Sequence, residues 1–296
     1  MAKVAIITDS NSGITQNEAK ELGIRVVPMP FMIDGEEYLE DITLTQEQFY
    51  EKLQGEANVC TSQPSIGFVN SVWDEALESY DEVVYIPMSS GLSNSCQSAL
   101  VSAEAMYKDK VFVVDDQRIS VTQRQHTLDA INLAKKGYSG KEIKEILERE
   151  KFNSDIYITL DTLYYLKKGG RITPAAAALG GLLKLKPILT IKGEKLDKYR
   201  MRNRDMDNAK KIMISACEAS INGFLKDLDG RTDNVYLEVA YTGTDKGPVL
   251  EFIKEIQEVF PNRHIDCCPL SLSVSCHIGT GALAMAISKA IPELEE

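Results

Sequence analysis

Short apolar runs alternate with stretches of helical spacing through the first half of the chain. Val4 to Thr8, Arg25 to Ile33, Val83 to Met88 and Val111 to Asp115 predict strands. Between them, Thr15 with Glu18 and Thr45 with Gln48 have the spacing of capping boxes, so a helix is expected to start at each. Phe68, Val69, Val72, Ala76 and Leu77 recur at helical intervals between Ser65 and Ser79, and the segment Ser89 to Ser95 is expected to lead into a further helix running to about Tyr107. Helices from Val121 to Lys136 and from Ser139 to Lys151, separated by Gly137 and Tyr138, close this region. Strand and helix in alternation imply a parallel sheet covered by helices.

The second half reads differently. Ile156 to Thr159, Pro187 to Ile191, Val235 to Tyr241 and Ile265 to Ser271 predict strands, and Asn208 to Leu228 and Val249 to Phe260 predict helices. A last helix is expected from Gly281 to Ala290, before Pro292. The change of pattern implies two α/β domains, 1–158 and 159–296, the first built on a parallel sheet and the second smaller and mixed. No tether-like linker or fixed-period repeat separates them, so a cleft at their junction is the default site.

Composition narrows the partners. The chain has 296 residues, 44% hydrophobic and 26% charged, as an ordinary globular protein does. Its net charge of -11 opposes nucleic acid as the main partner. The apolar stretch Ala175 to Leu183 is far shorter than the roughly 20 residues that span a bilayer. Val4 to Ile7 runs straight into Thr8 and Asp9, leaving no signal-peptide core, and the six cysteines form no C-x-x-C pair, so a cytoplasmic location is expected. Cys276 beside His277 invites a metal reading, but sequence neighbours rarely point at one ion, and no metal is expected.

The polar residues cluster where predicted strands or loops meet helices. In Thr8-Asp9-Ser10, Asp9 suits either an Asx turn or a ligand hydroxyl; the turn is the reading adopted. Thr61-Ser62-Gln63-Pro64-Ser65 precedes a helix that Ser65 would cap. Ser89-Ser90-Gly91-Leu92-Ser93-Asn94-Ser95 also leads into a helix, where hydroxyls and free N–H groups converge on a small anion. Its Gly91-x-Ser93-x-Ser95 nearly matches the nucleophile elbow G-x-S-x-G, which keeps open an acyl-ester hydrolase using Ser93 with His277 as base; His126 and His264 are the other histidines. Gly279 to Ala284 spells G-x-G-x-x-A but lacks the β-α-β context of a dinucleotide site, and no P-loop motif occurs. Two basic clusters, Lys167-Lys168-Gly169-Gly170-Arg171 and Lys198 with Arg200, Arg202 and Arg204, suit a carboxylate, a phosphate or a partner surface.

Taken together, Thr8-Asp9-Ser10, Thr61 to Ser65, Ser89 to Ser93, Leu166 to Ile172 and His277-Ile278-Gly279-x-Gly281-Ala282 resemble the DegV family of bacterial fatty-acid-binding proteins, nearly end to end. The resemblance implies a two-domain α/β protein with an apolar tunnel at the domain junction. The tunnel would take a long-chain fatty acid as ligand, with no cofactor and no catalysis of the protein's own. It further implies presentation of the carboxylate to a separate ATP-dependent fatty acid kinase, which makes an acyl phosphate for phospholipid synthesis. Carried over position by position, the carboxylate falls to Thr61 and Ser93, with Ser62, Asn94, Arg171, His277 and Gly279 around it. Lys167, Lys168, Arg200 and Arg202 fall on the kinase-facing surface. Asn94-Ser95-Cys96 and Thr280 depart from the family pattern and bear on chain preference.

Overall fold

The computed structural model describes residues 2–53, 57–178, 185–200 and 205–295. Seven strands fall in the first half: β1 (Val4–Asp9), β2 (Arg25–Val27), β3 (Pro30–Ile33), β4 (Glu36–Leu39), β5 (Val59–Thr61), β6 (Glu82–Ile86) and β7 (Val111–Val113). The second half contributes β8 (Ser154–Thr159), β9 (Ile188–Ile191), β10 (Asp197–Arg200), β11 (Val235–Tyr241), β12 (Ile265–Pro269) and β13 (Leu283–Lys289). They form a four-stranded sheet ordered β2-β1-β6-β7, a six-stranded sheet ordered β10-β9-β8-β13-β11-β12, and a three-stranded sheet ordered β4-β3-β5.

The four-stranded sheet is parallel throughout, as the alternating pattern implies. Successive side chains of a strand point to opposite faces, and here both faces are dry. Ile6, Val84 and Ile86 pack on Leu133, Ile143 and Leu147 of the helices Val121–Lys135 and Gly140–Arg149. Ala5, Ile7, Val83 and Tyr85 pack on Trp73 and Ala99 of the helices Ile66–Leu77 and Ser95–Met106. The expected caps form: Thr15, Thr45 and Ser65 each accept the N–H of the residue three positions on, and Gln48 closes the capping box.

Three departures from the sequence reading concern two sheets and one helix. The run Arg25 to Ile33 is two strands, not one. Pro28 has no N–H to extend the β2 ladder, and β3 leaves for the antiparallel three-stranded sheet. There the turn Asp34-Gly35, with φ of 51° and 89°, returns the chain as β4, and Thr61 at the end of β5 pairs with Phe31.

The segment expected to be a C-terminal helix, Gly281 to Ala290, instead contains β13, antiparallel to both β8 and β11. Ala, Leu and Met favour helix intrinsically, but every residue of β13 is buried. Leu283, Met285 and Ile287 face the helices Met206–Ser220 and Gly247–Val259, while Ala284 and Ala286 face the other way, toward a second core. Both sets are apolar, so the period of two is hidden.

The helix expected from Asn208 to Leu228 is interrupted at Ile221–Leu225, where Gly223 has non-helical angles. The six-stranded sheet is mixed, with β11 and β12 parallel and its other pairs antiparallel, and it is the wider of the two main sheets. Strand β8, which spans the expected boundary, pairs with β9 and β13. No helix among the described residues is long and apolar enough to cross a membrane.

A buried polar network ties the loop after β7 to β11 and β13. The Arg118 guanidinium donates to Ser288 Oγ at 3.2 Å and to the Glu150 carbonyl at 2.8 Å, and Ser288 Oγ donates to Glu238 at 2.9 Å. Burial pushes the Glu238 carboxyl up to about 8 and the Asp129 carboxyl up to about 7. A raised carboxyl contributes stability that is complete below its unfolded value and is lost as pH rises through its folded one. The protein is therefore expected to lose stability between about pH 5 and pH 8, by up to roughly 1.4 kcal/mol per pH step per group. Glu238→Gln should flatten that slope in urea unfolding series; an unaltered slope would show that Glu238 is ionised in the fold.

Candidate functional site

A cavity of about 310 Å³ lies between the parallel sheet and the six-stranded sheet. Met29, Met88, Leu92, Ile119 and Val121 line it from the first side, and Ile156, Ile158, Ile191, Ala240 and Ala284 from the second. The helix Leu272–Ile278 adds Ser273, Val274, His277 and Ile278. Most of this wall belongs to one hydrophobic cluster, which includes Ala284 of β13. The polar section of the wall is made of Thr61, Ser62, Gln63, Ser93, Asn94, Arg171 and His277. Ser62, Gln63 and Asn94 are exposed and the other four half-buried, so this section is the mouth.

The mouth is assembled by three elements. Strand β5 ends at Thr61, and Thr61 Oγ1 lies 2.9 Å from His277 Nε2 near the end of the helix Leu272–Ile278. Burial, reinforced by the nearby Arg171 guanidinium, lowers His277 to about 4, so the imidazole is neutral at pH 7. Its other face abuts Gly169, where a Cβ would come within 2.1 Å of Nδ1. Arg171 in turn donates to the Gly169 carbonyl. The paired glycines therefore have distinct tasks: Gly169 gives the ring a flat backbone, and Gly170, with φ of 67°, ends the helix Tyr164–Gly169.

Ser93 is held by its loop. Its N–H donates to the Ser89 carbonyl at 3.2 Å, and its Oγ accepts the Ser95 N–H at 3.2 Å. Gly91 is needed because a Cβ there would meet the Gly193 carbonyl oxygen at 2.4 Å, in the β9–β10 turn of the other sheet. The glycine of the near-elbow thus locks two layers together. Nor does the elbow acquire its base: the His277 imidazole bonds Thr61 rather than Ser93, and no carboxylate bonds its ring among the described residues.

Of the residues singled out in the sequence, Thr61, Ser62, Ser93, Asn94, Arg171 and His277 converge on the cavity. Gly279 does not line it; with φ of 79° it follows the helix Leu272–Ile278 and lies against the Tyr165 ring. Lys167 and Lys168 are exposed outside the cavity, with Lys168 Nζ donating to Asn58 at 2.6 Å. Arg200 is exposed on β10, whereas Arg202 and Arg204 lie outside the described residues. Asp9 is structural, accepting the N–H groups of Met88 and Asn11 and the Gln123 amide. Cys276 packs in the core beside Phe31 and Leu272 while its neighbour His277 faces the cavity; among the described residues no His, Cys, Asp and Glu group suits a metal. Sequence reading missed Asn11, Ser120 and Ser273 in the cavity wall. Asn11 follows Thr8-Asp9-Ser10 directly, the one signal that pointed there.

Comparison with known proteins places this geometry. The DegV family model, described as an uncharacterised protein family, matches residues 3–290. A DegV domain-containing protein of Staphylococcus aureus is 28% identical over 293 residues, covering 98% of this chain and 100% of its own length. One from Deinococcus radiodurans is 35% identical over 195 residues, or 66% of this chain and 69% of its own. A solved DegV family protein from Thermus thermophilus, described for its fatty acid binding, superimposes with a TM-score of 0.86 at 30% identity, over 98% of this chain and 100% of that one. DegV from Bacillus subtilis, described as a fatty acid binding protein, gives 0.83 at 26% identity over 98% and 100%. With the motifs, the fold and nearly the whole length in agreement, the chain belongs to the DegV family.

Proposed function

We propose that this protein carries a long-chain fatty acid in the cytoplasm, the acyl tail in the apolar cavity and the carboxylate at the mouth. It would present that carboxylate to a separate ATP-dependent fatty acid kinase. The observation that carries the reading is a hydrophobic cavity whose mouth holds two hydroxyls able to donate to a ligand. In the tautomer protonated at Nε2, the neutral His277 donates to Thr61 Oγ1 and leaves the Thr61 proton free for a ligand. Ser93 Oγ, already accepting a backbone N–H, likewise has its own proton to give. Two O–H donors beside Arg171 match a carboxylate and remove the cost of burying it unpaired.

Tail burial supplies the affinity at about 0.8 kcal/mol per CH₂, so a dozen methylenes contribute roughly 10 kcal/mol before ordering costs. The fatty acids bound by the relatives from Thermus thermophilus and Bacillus subtilis support the same ligand class. Arg200, Lys167 and Lys168, exposed on an acidic protein, are the surface assigned to the kinase, together with Arg202.

Solvent extraction of the purified protein followed by mass spectrometry should release about one fatty acid per chain. Arg200→Glu should keep that acid while lowering acyl phosphate formation by a fatty acid kinase supplied with ATP; loss of both together would refute the division of labour. Turnover of p-nitrophenyl esters that disappears in Ser93→Ala would establish the hydrolase instead.

A further inference from the structure

Resting on the carrier reading, we infer that the cavity contains a second polar subsite, built for an oxygen substituent part-way along the acyl chain: a hydroxy or oxo fatty acid. Asn11, Ser120 and Ser273 line the cavity and are almost wholly buried, at 1%, 8% and 4% exposure. They form one contiguous group. The Ser120 N–H donates to the Asn11 carbonyl at 3.0 Å, and Ser273 Oγ donates to Asn11 Oδ1 at 2.6 Å.

The group has donors left over. Ser120 precedes the helix Val121–Lys135 yet its hydroxyl makes no capping bond, and it has no hydrogen-bond partner among the described residues. Its backbone is held at φ 59° and ψ −136°, a conformation that side-chain-bearing residues avoid and that a surrounding structure must enforce. The Asn11 amide donates at 3.0 Å to Met88 Sδ, a weak acceptor, and its second N–H finds no partner among the described residues. A wall meant only for hydrocarbon gains nothing from such groups, because an apolar tail laid against them would leave their donors without an acceptor, which is costly.

The donor set also selects the ligand group. Arg171 is the only cation among the described lining residues, and it stands at the mouth, so among the described residues a second carboxylate has no counter-ion inside; a neutral hydroxyl or carbonyl oxygen fits. The subsite is separate from the head group. Ser273 precedes His277 by four residues on one helix, a rise of about 6 Å.

The test is displacement of bound stearic acid from the full-length protein by hydroxystearic acids carrying the hydroxyl at successive positions. At least one internal isomer is expected to bind severalfold tighter than stearic acid. Its affinity relative to stearic acid should then fall about tenfold in Ser120→Ala. Ser120→Gly removes the same hydroxyl while relieving the backbone, and should give the same fall even if the alanine variant folds poorly. Isomers that all bind more weakly than stearic acid, or a preference that survives in both variants, would overturn the subsite. If stearic acid itself fails to bind the wild-type protein, the carrier reading falls, and the inference with it.

Discussion

Gly91→Ala is expected to destabilise the protein by roughly 3 kcal/mol, although it adds one methyl group to a half-buried loop. The added Cβ would lie 2.4 Å from the Gly193 carbonyl oxygen and 2.8 Å from Glu194 Cα. Both are backbone atoms of a tight turn, so no side chain can swing away. Relief requires the β9–β10 hairpin to lift off the Ser89 to Ser93 loop, which also breaks the bond from Ser89 Oγ to the Gly193 carbonyl. Gly67→Ala is the matched control. Gly67 sits within the helix Ile66–Leu77 with nothing within 4 Å of its added Cβ, so alanine there should raise stability by up to about 1 kcal/mol. Urea midpoints measured side by side decide the matter. Equal midpoints for the two variants would mean that the sheets are not locked at Gly91.

Thr61→Ala combined with Ser93→Ala is expected to weaken fatty acid binding by roughly 4 kcal/mol, or about a thousandfold. On the proposed reading, each substitution removes one O–H donor from the bound carboxylate. Thr61→Ala should be the worse single change, because it also leaves His277 Nε2 without its partner at 2.9 Å. Thr61→Ser, which retains the hydroxyl, should recover most of the loss. Calorimetric titration of each variant with stearic acid provides the comparison; wild-type affinity in the double variant would remove both hydroxyls from the site.

Much of this mouth is legible in the sequence because polar residues at strand-to-helix junctions have few structural excuses. Thr61, Ser93 and His277 stand in short hydroxyl- or glycine-bearing segments, and all three line the cavity. The parallel sheet is legible for the same local reason, since Val4 to Asp9 and Glu82 to Ile86 are apolar runs bounded by helix caps. What escapes is decided by distant partners. Leu283 to Lys289 has helical composition and becomes a strand because β8 and β11 offer it both edges. Arg25 to Ile33 looks continuous, and only the destination of β3 shows that Pro28 divides it. Asn11 lies in the polar run Thr8 to Ser12 and Ser120 in the irregular segment before the helix Val121–Lys135, and no periodicity says that they face an interior. Gly91 stands in a short motif, but the backbone that crowds it lies 102 positions away at Gly193.

Strand β13 is the last of the strands in chain order, yet it occupies the interior of its sheet, between β8 and β11. During synthesis those two strands emerge first and must wait, unpaired along the edges that β13 will fill, until residues 283–289 leave the ribosome. Until then Ala284 is missing from the cavity wall. A chain interrupted before residue 283 would expose two open strand edges as sites for aggregation.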